Sequence, residues 1–274
     1  LEAVVDASEG DFARRAIALL HSHGFARVRL SRPDACLSRQ LFIDAASFFD
    51  DATATRGAHV PPKQRKDRDS RTGYVWEHNR EYLELHPRAQ PSPTSHVALL
   101  RTATAFSAAC HSMCLAVLTE LAVTNPRVAS LLSAEEAAAA ETSTEAVEAE
   151  ASAECKGRPL STVDNTPPAS SFSASMIRVH RYLLDSDHPP HCDLGLLTLA
   201  PRGSAAGLLV WLRGEWVRIE ALMDEDEALL FSGSTLAQLG GPAALAHKVD
   251  RQGALRLSAP YFCRASPNVM LPAA

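Results

Sequence analysis

The sequence predicts an α+β fold, with helices concentrated in the first half of the chain and a jelly-roll core, a double-stranded β-helix backed by helices, in the second. Two observations carry this. From His96 to Leu121 the residues Leu99, Ala103, Phe106, Cys110, Met113, Val117 and Leu121 keep helical spacing, the pattern of a long helix with one apolar stripe. After Ser171 the pattern changes to short apolar runs broken by Pro190, Gly195, Gly203, Gly207, Gly214, Gly233 and Gly240-Gly241. Many short strands at such intervals suggest a sandwich or a barrel.

The elements follow in order. Phe12, Ala16, Leu19 and Leu20 share a face of a helix over 11–23, and Gly24 is suited to end it in the left-handed conformation. Ala26, Val28 and Leu30 then alternate with Arg27 and Arg29, as in a half-buried strand. A second helix over 34–49 has Leu37, Leu41, Ala45 and Phe48 on its stripe. Lys63, Arg65, Lys66 and Arg68, among prolines, mark an exposed basic loop ahead of Gly73-Tyr74. Between Ser133 and Ser170 the composition shifts to Ala, Glu, Ser and Thr, with too little apolar surface to order the segment by burial, so a flexible insert is expected. The expected organisation is a cap region over 1–95, then a helix-backed core over 96–274 that carries the insert at 133–170.

The chain of 274 residues has a net charge of −5, which argues against a nucleic-acid backbone as partner. No apolar run is expected to cross a bilayer, which takes about 20 residues. The six cysteines form no C-x-x-C pair and read as reduced thiols, so the expected location is cytoplasmic; the chain opens on Leu1, and a targeting segment ahead of it stays open. A monomer acting on a small molecule is the expected state.

The chemistry concentrates between Ser175 and Pro267. His191 and Asp193 stand two apart, so in an extended segment both project from one side and reach one metal, with Cys192 turned away. His247, 54 residues beyond Asp193, is the candidate third ligand. Two histidines and a carboxylate with open coordination positions form the facial triad of non-haem Fe(II) enzymes. Arg256, Ser258, Pro260 and Phe262 fall on one strand face, directing a guanidinium fork, a hydroxyl and a ring into the same cavity; such a fork suits a dicarboxylate held end-on. Met176, Arg178, His180 and Tyr182 share another strand face, and a buried Arg178 needs an anionic partner, either a substrate carboxylate or an internal acid.

The H-x-D at 191–193, the distal His247 and the R-x-S at 256–258 resemble the 2-oxoglutarate- and Fe(II)-dependent dioxygenase superfamily, in the branch typified by isopenicillin N synthase and the plant flavonoid and gibberellin oxygenases. The strand 178–182 ending in Tyr182, the Leu-Thr-Leu at 197–199, the runs 207–210 and 214–217, and 229–234 are similar to that branch as well. Lys248, Ser234 and His180 depart from it, the last within the substrate pocket. The resemblance implies Fe(II) on His191, Asp193 and His247, with 2-oxoglutarate held by Tyr182, Arg256 and Ser258. It implies O2 as oxidant, ascorbate as an optional reductant, and release of succinate and CO2 as a small molecule is hydroxylated, desaturated or cyclised. Tyr74, Met176, Arg178, His180 and Phe262 are the expected substrate contacts. Three alternatives remain open at this stage: an iron oxidase of the same branch that does not use 2-oxoglutarate, a zinc hydrolase on the same ligands, and a non-catalytic binding protein.

Overall fold

Phe12, Ala16 and Leu20 form the buried face of helix α1 (Phe12–His23), which ends where Gly24 adopts a φ of 81° and its N–H caps the Leu20 carbonyl. In the computed structural model the described residues are 4–54, 72–77, 80–86, 97–137, 174–251, 253–266 and 269–270. Strand β1 (Val4–Asp6) precedes α1, and β2 (Phe25–Arg29), helix α2 (Arg32–Ala54) and the strands β3 (Thr72–Glu77) and β4 (Arg80–Leu85) follow it. Helix α3 (Val97–Thr124) is succeeded by α4 over 126–137. The second half contributes β5 (Met176–Tyr182), β6 (His188–His191), β7 (Leu197–Pro201), β8 (Leu208–Leu212) and β9 (Glu215–Arg218). A 3₁₀ turn (Ile219–Leu222), β10 (Glu227–Ser232), the short α5 (Ser234–Gln238), β11 (His247–Val249), β12 (Arg256–Ser258) and β13 (Tyr261–Cys263) complete it.

The strands form two sheets, so the architecture is α+β. The larger has nine strands in the order β1-β2-β10-β7-β13-β5-β4-β3, with β12 also paired to β5; the smaller has four, in the order β6-β11-β8-β9. The first 95 residues therefore supply four strands to the larger sheet, at both of its ends.

Strand alternation divides the larger sheet's two faces. Ile177 and Val179 of β5 join a core with Leu83, Tyr74, Phe106, Leu118 and the inner faces of α1 and α2. Tyr182, from the opposite face of β5, packs with Phe231, Leu229, Leu208, Val210 and Val249, residues drawn from both sheets. The space between the sheets thus has its own small core, and the site is built beside it.

Two expectations change here. Helix α3 is long and apolar enough to cross a membrane by length and composition alone. Its apolar character has another cause: the helix packs against α1, α2, β5, β7 and β13, burying Leu99, Phe106, Cys110, Val117 and Leu121. The flexible segment expected from 133 begins instead as packed helix, because Val128 and Leu131 are fully buried and Glu135 accepts hydrogen bonds from the Ser266 N–H and hydroxyl, each at 2.6 Å. The rest of that segment and the basic loop at 61–71 lie outside the described residues.

Candidate metal centre

Strand β6 reads His-Pro-Pro-His, and two prolines can sit there because β6 is an edge strand, with no second neighbour to receive an N–H. It pairs with β11, His191 opposite His247 and His188 opposite Val249. Three steps on β6 match two on β11, a bulge that brings His188 and His191 to the same side, their rings stacked at 4.3 Å. After His191 the chain leaves the strand. Asp193 is fixed by its own neighbours: its main-chain carbonyl accepts from Ser234 N–H at 2.7 Å, and its Oδ2 accepts from the Thr198 hydroxyl at 2.6 Å.

The three predicted ligands converge. One donor atom from each of His191, Asp193 and His247 lies within 4.8 Å of the others, the only such group of three among the described residues. Asp193 Oδ1 is 3.7 Å from His191 Nε2 and 3.8 Å from His247 Nε2. Two ligands about 2.1 Å from one ion stand roughly 3.0–3.6 Å apart at ordinary bond angles, so the set needs to close by only a few tenths of an ångström. Both rings are already in the required tautomer. His191 Nδ1 donates to the Pro189 carbonyl at 2.9 Å and His247 Nδ1 to the Leu245 carbonyl at 3.1 Å, which leaves each Nε2 lone pair turned to the centre. Burial lowers the pKa of His247, against the opposing pull of Asp193, and keeps the ring neutral and ready to ligate. Cys192 is exposed, as its position between the ligands predicts.

Gly233 and Gly195 make the ligand loop possible. A Cβ on Gly233 would stand 2.2 Å from the Gly195 carbonyl oxygen and 3.0 Å from that of Asp193, so only glycine lets the turn before α5 pass under the loop. Gly233 N–H donates to Leu196 O, and the Thr235 hydroxyl donates to Leu194 O, tying down the same loop.

Arg256 lies opposite Tyr182 and Ser258 opposite His180 in the pairing of β12 with β5, all four on the face of the larger sheet that looks toward the smaller one. Arg256 is only 2% exposed. Its Nη2 donates to Glu220 Oε1 at 2.7 Å, its Nε donates to Ala205 O at 3.0 Å, and its guanidinium stands 5.3 Å from the Tyr182 ring centre. Its Nη1 is buried with no partner. Glu220 accepts three further bonds, from the N–H groups of Gly203, Gly207 and Leu208 at 2.7–2.9 Å. Burial alone would raise its pKa; Arg256 and these amides reverse the sign and hold the carboxyl below its ordinary value. Gly203 is small for the same reason, since a Cβ there would stand 2.9 Å from Arg256 Nη2.

No protein-family profile matches the sequence, and no curated protein does. Solved structures do match over nearly the whole chain. An oxygenase from Shewanella oneidensis is 15% identical with a TM-score of 0.65, covering 98% of this chain and 92% of that one. A dioxygenase for auxin oxidation from rice is 19% identical with a TM-score of 0.63, over 99% of this chain and 85% of that one. The dioxygenase for auxin oxidation from Arabidopsis thaliana, as its binary complex with 2-oxoglutarate, is 15% identical with a TM-score of 0.64, over 100% and 96%. The chain has the fold of the 2-oxoglutarate- and iron-dependent oxygenases. At these identities the likeness is one of fold.

Within this oxygenase fold the expected substrate contacts separate. Met176, Arg178, His180 and Phe262 lie on the sheet face that carries Tyr182, with Phe262 opposite Met176 in register. Tyr74 does not join them. Its register partner Leu83 pairs with Val179 on the helix side, where Tyr74 packs on Phe48 and Phe49 and its hydroxyl donates to Glu81. The sheet itself stands between Tyr74 and the group of His191, Asp193 and His247. Arg178 has an internal acid as partner: its Nη2 and Nε donate to Glu84 Oε2 at 2.6 and 3.1 Å. His180 is buried, stacked on Tyr182 at 5.5 Å, with Nδ1 unpartnered. Burial, then the charges of Arg178 and Arg80, push its pKa well below the ordinary value. Glu220 and Thr198 escaped the sequence reading. The available signal for Thr198 was its place in the Leu-Thr-Leu run, where alternation turns one hydroxyl inward between two apolar neighbours.

Proposed function

We propose that this chain is an Fe(II)- and 2-oxoglutarate-dependent oxygenase acting on a small molecule, its two sheets forming a double-stranded β-helix. The observation that carries the proposal is the unpartnered Nη1 of Arg256, buried in the space between the sheets where the His-Asp-His group also lies. A buried guanidinium N–H without an acceptor is costly, and a carboxylate is the group that would complete it. The donor set fits iron: two imidazole nitrogens and one carboxylate oxygen would hold the ion and leave further coordination positions open. A zinc hydrolase on the same ligands leaves Arg256 unexplained.

His191, Asp193 and His247 would hold the ion, and Arg256, Tyr182 and Ser258 would bind the co-substrate. When bound, iron with 2-oxoglutarate and O2 supplies the oxidising step, releasing succinate and CO2. The chain's own residues do the positioning. Glu220 and Ala205 occupy two edges of the Arg256 fork, so the guanidinium cannot rotate and presents Nη1 alone. Thr198 holds Asp193 Oδ2, leaving Oδ1 for the ion. Tyr182, its pKa raised by burial, keeps its proton for donation.

The test is Arg256→Ala. It should weaken 2-oxoglutarate binding by roughly thirtyfold or more, by analogy with breaking a desolvated charge pair, with metal affinity retained, read by calorimetry of 2-oxoglutarate into Mn(II)-loaded protein and of Mn(II) into metal-free protein. Unchanged 2-oxoglutarate affinity would take the co-substrate role away from Arg256, and wild-type protein that binds metal but no 2-oxoglutarate would shift the reading to an iron oxidase that does not use it.

A further inference from the structure

Two guanidiniums stand close to the ring of Phe262. Arg178 Cζ is 5.5 Å and Arg264 Cζ 5.3 Å from its ring centre. The two arginines differ in what balances them. Arg178 is neutralised by Glu84 and also stands 4.9 Å from the Tyr82 ring centre. Arg264 has no side-chain hydrogen bond and no ion pair among the described residues, and its Nε is buried without a partner. Its stem lies against the metal-ligand loop: a Cβ placed on Gly195 would be 3.3 Å from Arg264 Cγ. The guanidinium, without a partner among the described residues, therefore stands on the same sheet face as Arg178 and Phe262, and its contact Gly195 is two residues in sequence from Asp193.

The nearby acids are already committed. Glu84 accepts two bonds from Arg178, and Asp193 accepts from Thr198 and belongs to the metal group. Burial first, and then the neighbouring charge of Arg178, lower the affinity of Arg264 for its proton, against the opposing pull of Glu84 and Asp193. Leaving a charged group partly buried and unpaired costs stability, and such a cost is kept where a ligand removes it. Among the described residues Arg178 and Arg256 each have a carboxylate partner and Arg264 has none. A ligand carboxylate would supply that counter-ion.

Resting on the oxygenase reading above, we propose that Arg264 is the specificity-determining residue of the substrate pocket, and that the substrates are small organic acids whose carboxylate it holds beside the metal. Phe262 and Met176, adjacent in register, supply the apolar wall for the carbon skeleton. Arg264 takes the substrate's charge, Arg256 the co-substrate's, and the two anions are kept apart.

The experiment loads the protein with Mn(II) and 2-oxoglutarate and incubates it with an equimolar set of aryl and alkyl carboxylic acids, benzoate to decanoate, together with the matching primary amides. Retained compounds are read by mass spectrometry for wild type, Arg264→Gln and Arg264→Lys. Wild type is expected to retain acids over their amides by at least about tenfold, Arg264→Gln to lose that preference, Arg264→Lys to keep part of it, and all three to bind 2-oxoglutarate alike. Retention of acids and amides equally, retention of neither, or an acid preference that survives in Arg264→Gln overturns the proposal. So does a loss of 2-oxoglutarate affinity confined to Arg264→Gln, which would assign the residue to the co-substrate. A protein that selects acids through Arg264 yet binds no 2-oxoglutarate would instead overturn the oxygenase reading and leave this one standing.

Discussion

Arg256 and Glu220, each side chain 2% exposed, form an ion pair of 2.7 Å across 36 positions of sequence. The pair joins β12 to the 3₁₀ turn after β9, and three backbone N–H groups complete the carboxylate. A buried pair is stable only when its remaining hydrogen-bonding groups are satisfied, and on the Glu220 side they are. On the Arg256 side one group is left over, and that asymmetry is what makes a ligand carboxylate the natural completion.

Glu220→Ala removes the partner and leaves a buried cation together with three unsatisfied amides. Breaking a buried pair by removing one member costs about 3–5 kcal/mol, so a loss of that order is expected in urea unfolding of the metal-free protein. A change within about 0.5 kcal/mol, the range of a neutral surface substitution, would show that the pair is not buried as described.

Thr198→Val keeps the shape of the side chain and deletes its hydroxyl. Asp193 Oδ2 then loses a 2.6 Å bond and the carboxylate is free to rotate. Loss of such an outer partner typically weakens metal binding about 10–100-fold, and Mn(II) titration followed by electron paramagnetic resonance should show it. Wild-type affinity in this variant would mean that the main chain alone orients Asp193.

Acid should destabilise the metal-free protein. His180 and His247 have lowered pKa values and His188 is pushed down to about 3, first by burial and then by Arg80. Below the ordinary value of 6.5 the unfolded chain takes up protons that the native rings refuse, so stability is complete above about 6.5 and falls as pH drops toward the native values. The thermal midpoint should decline across this window, and more shallowly in His180→Gln. An equal slope in that variant would contradict the assignment of His180 as a buried neutral ring.

Much of this was legible in the sequence, and the remainder has physical causes. His191, Asp193 and His247 could be found because ligand chemistry needs a particular residue type at each position. The place of Arg256 on the face of Tyr182 was legible from strand pairing, but its partner Glu220 was not. An acid at the end of a hairpin looks like solvated surface until the chain folds Gly203, Gly207 and Leu208 around it. Tyr74 was expected in the pocket, yet a strand's pattern does not tell which face turns to the helices; the register of β3 on β4 decides that. Helix α4 was hidden by its Ala- and Glu-rich continuation, although Val128, Leu131 and Glu135 already carry the spacing of a packed face. The hairpin of β8 and β9 was legible because Gly214 permits its φ of 90°, next to Arg213 at 51°, in a two-residue turn that suits the twist of the strands.

The most direct test of the central claim is succinate formation by purified protein supplied with Fe(II), 2-oxoglutarate and air, measured by mass spectrometry beside Asp193→Ala. The account predicts slow succinate release even without the true substrate, dependent on Fe(II) and absent in the variant. Protein that carries iron on His191, Asp193 and His247 but neither binds 2-oxoglutarate nor yields succinate would contradict it.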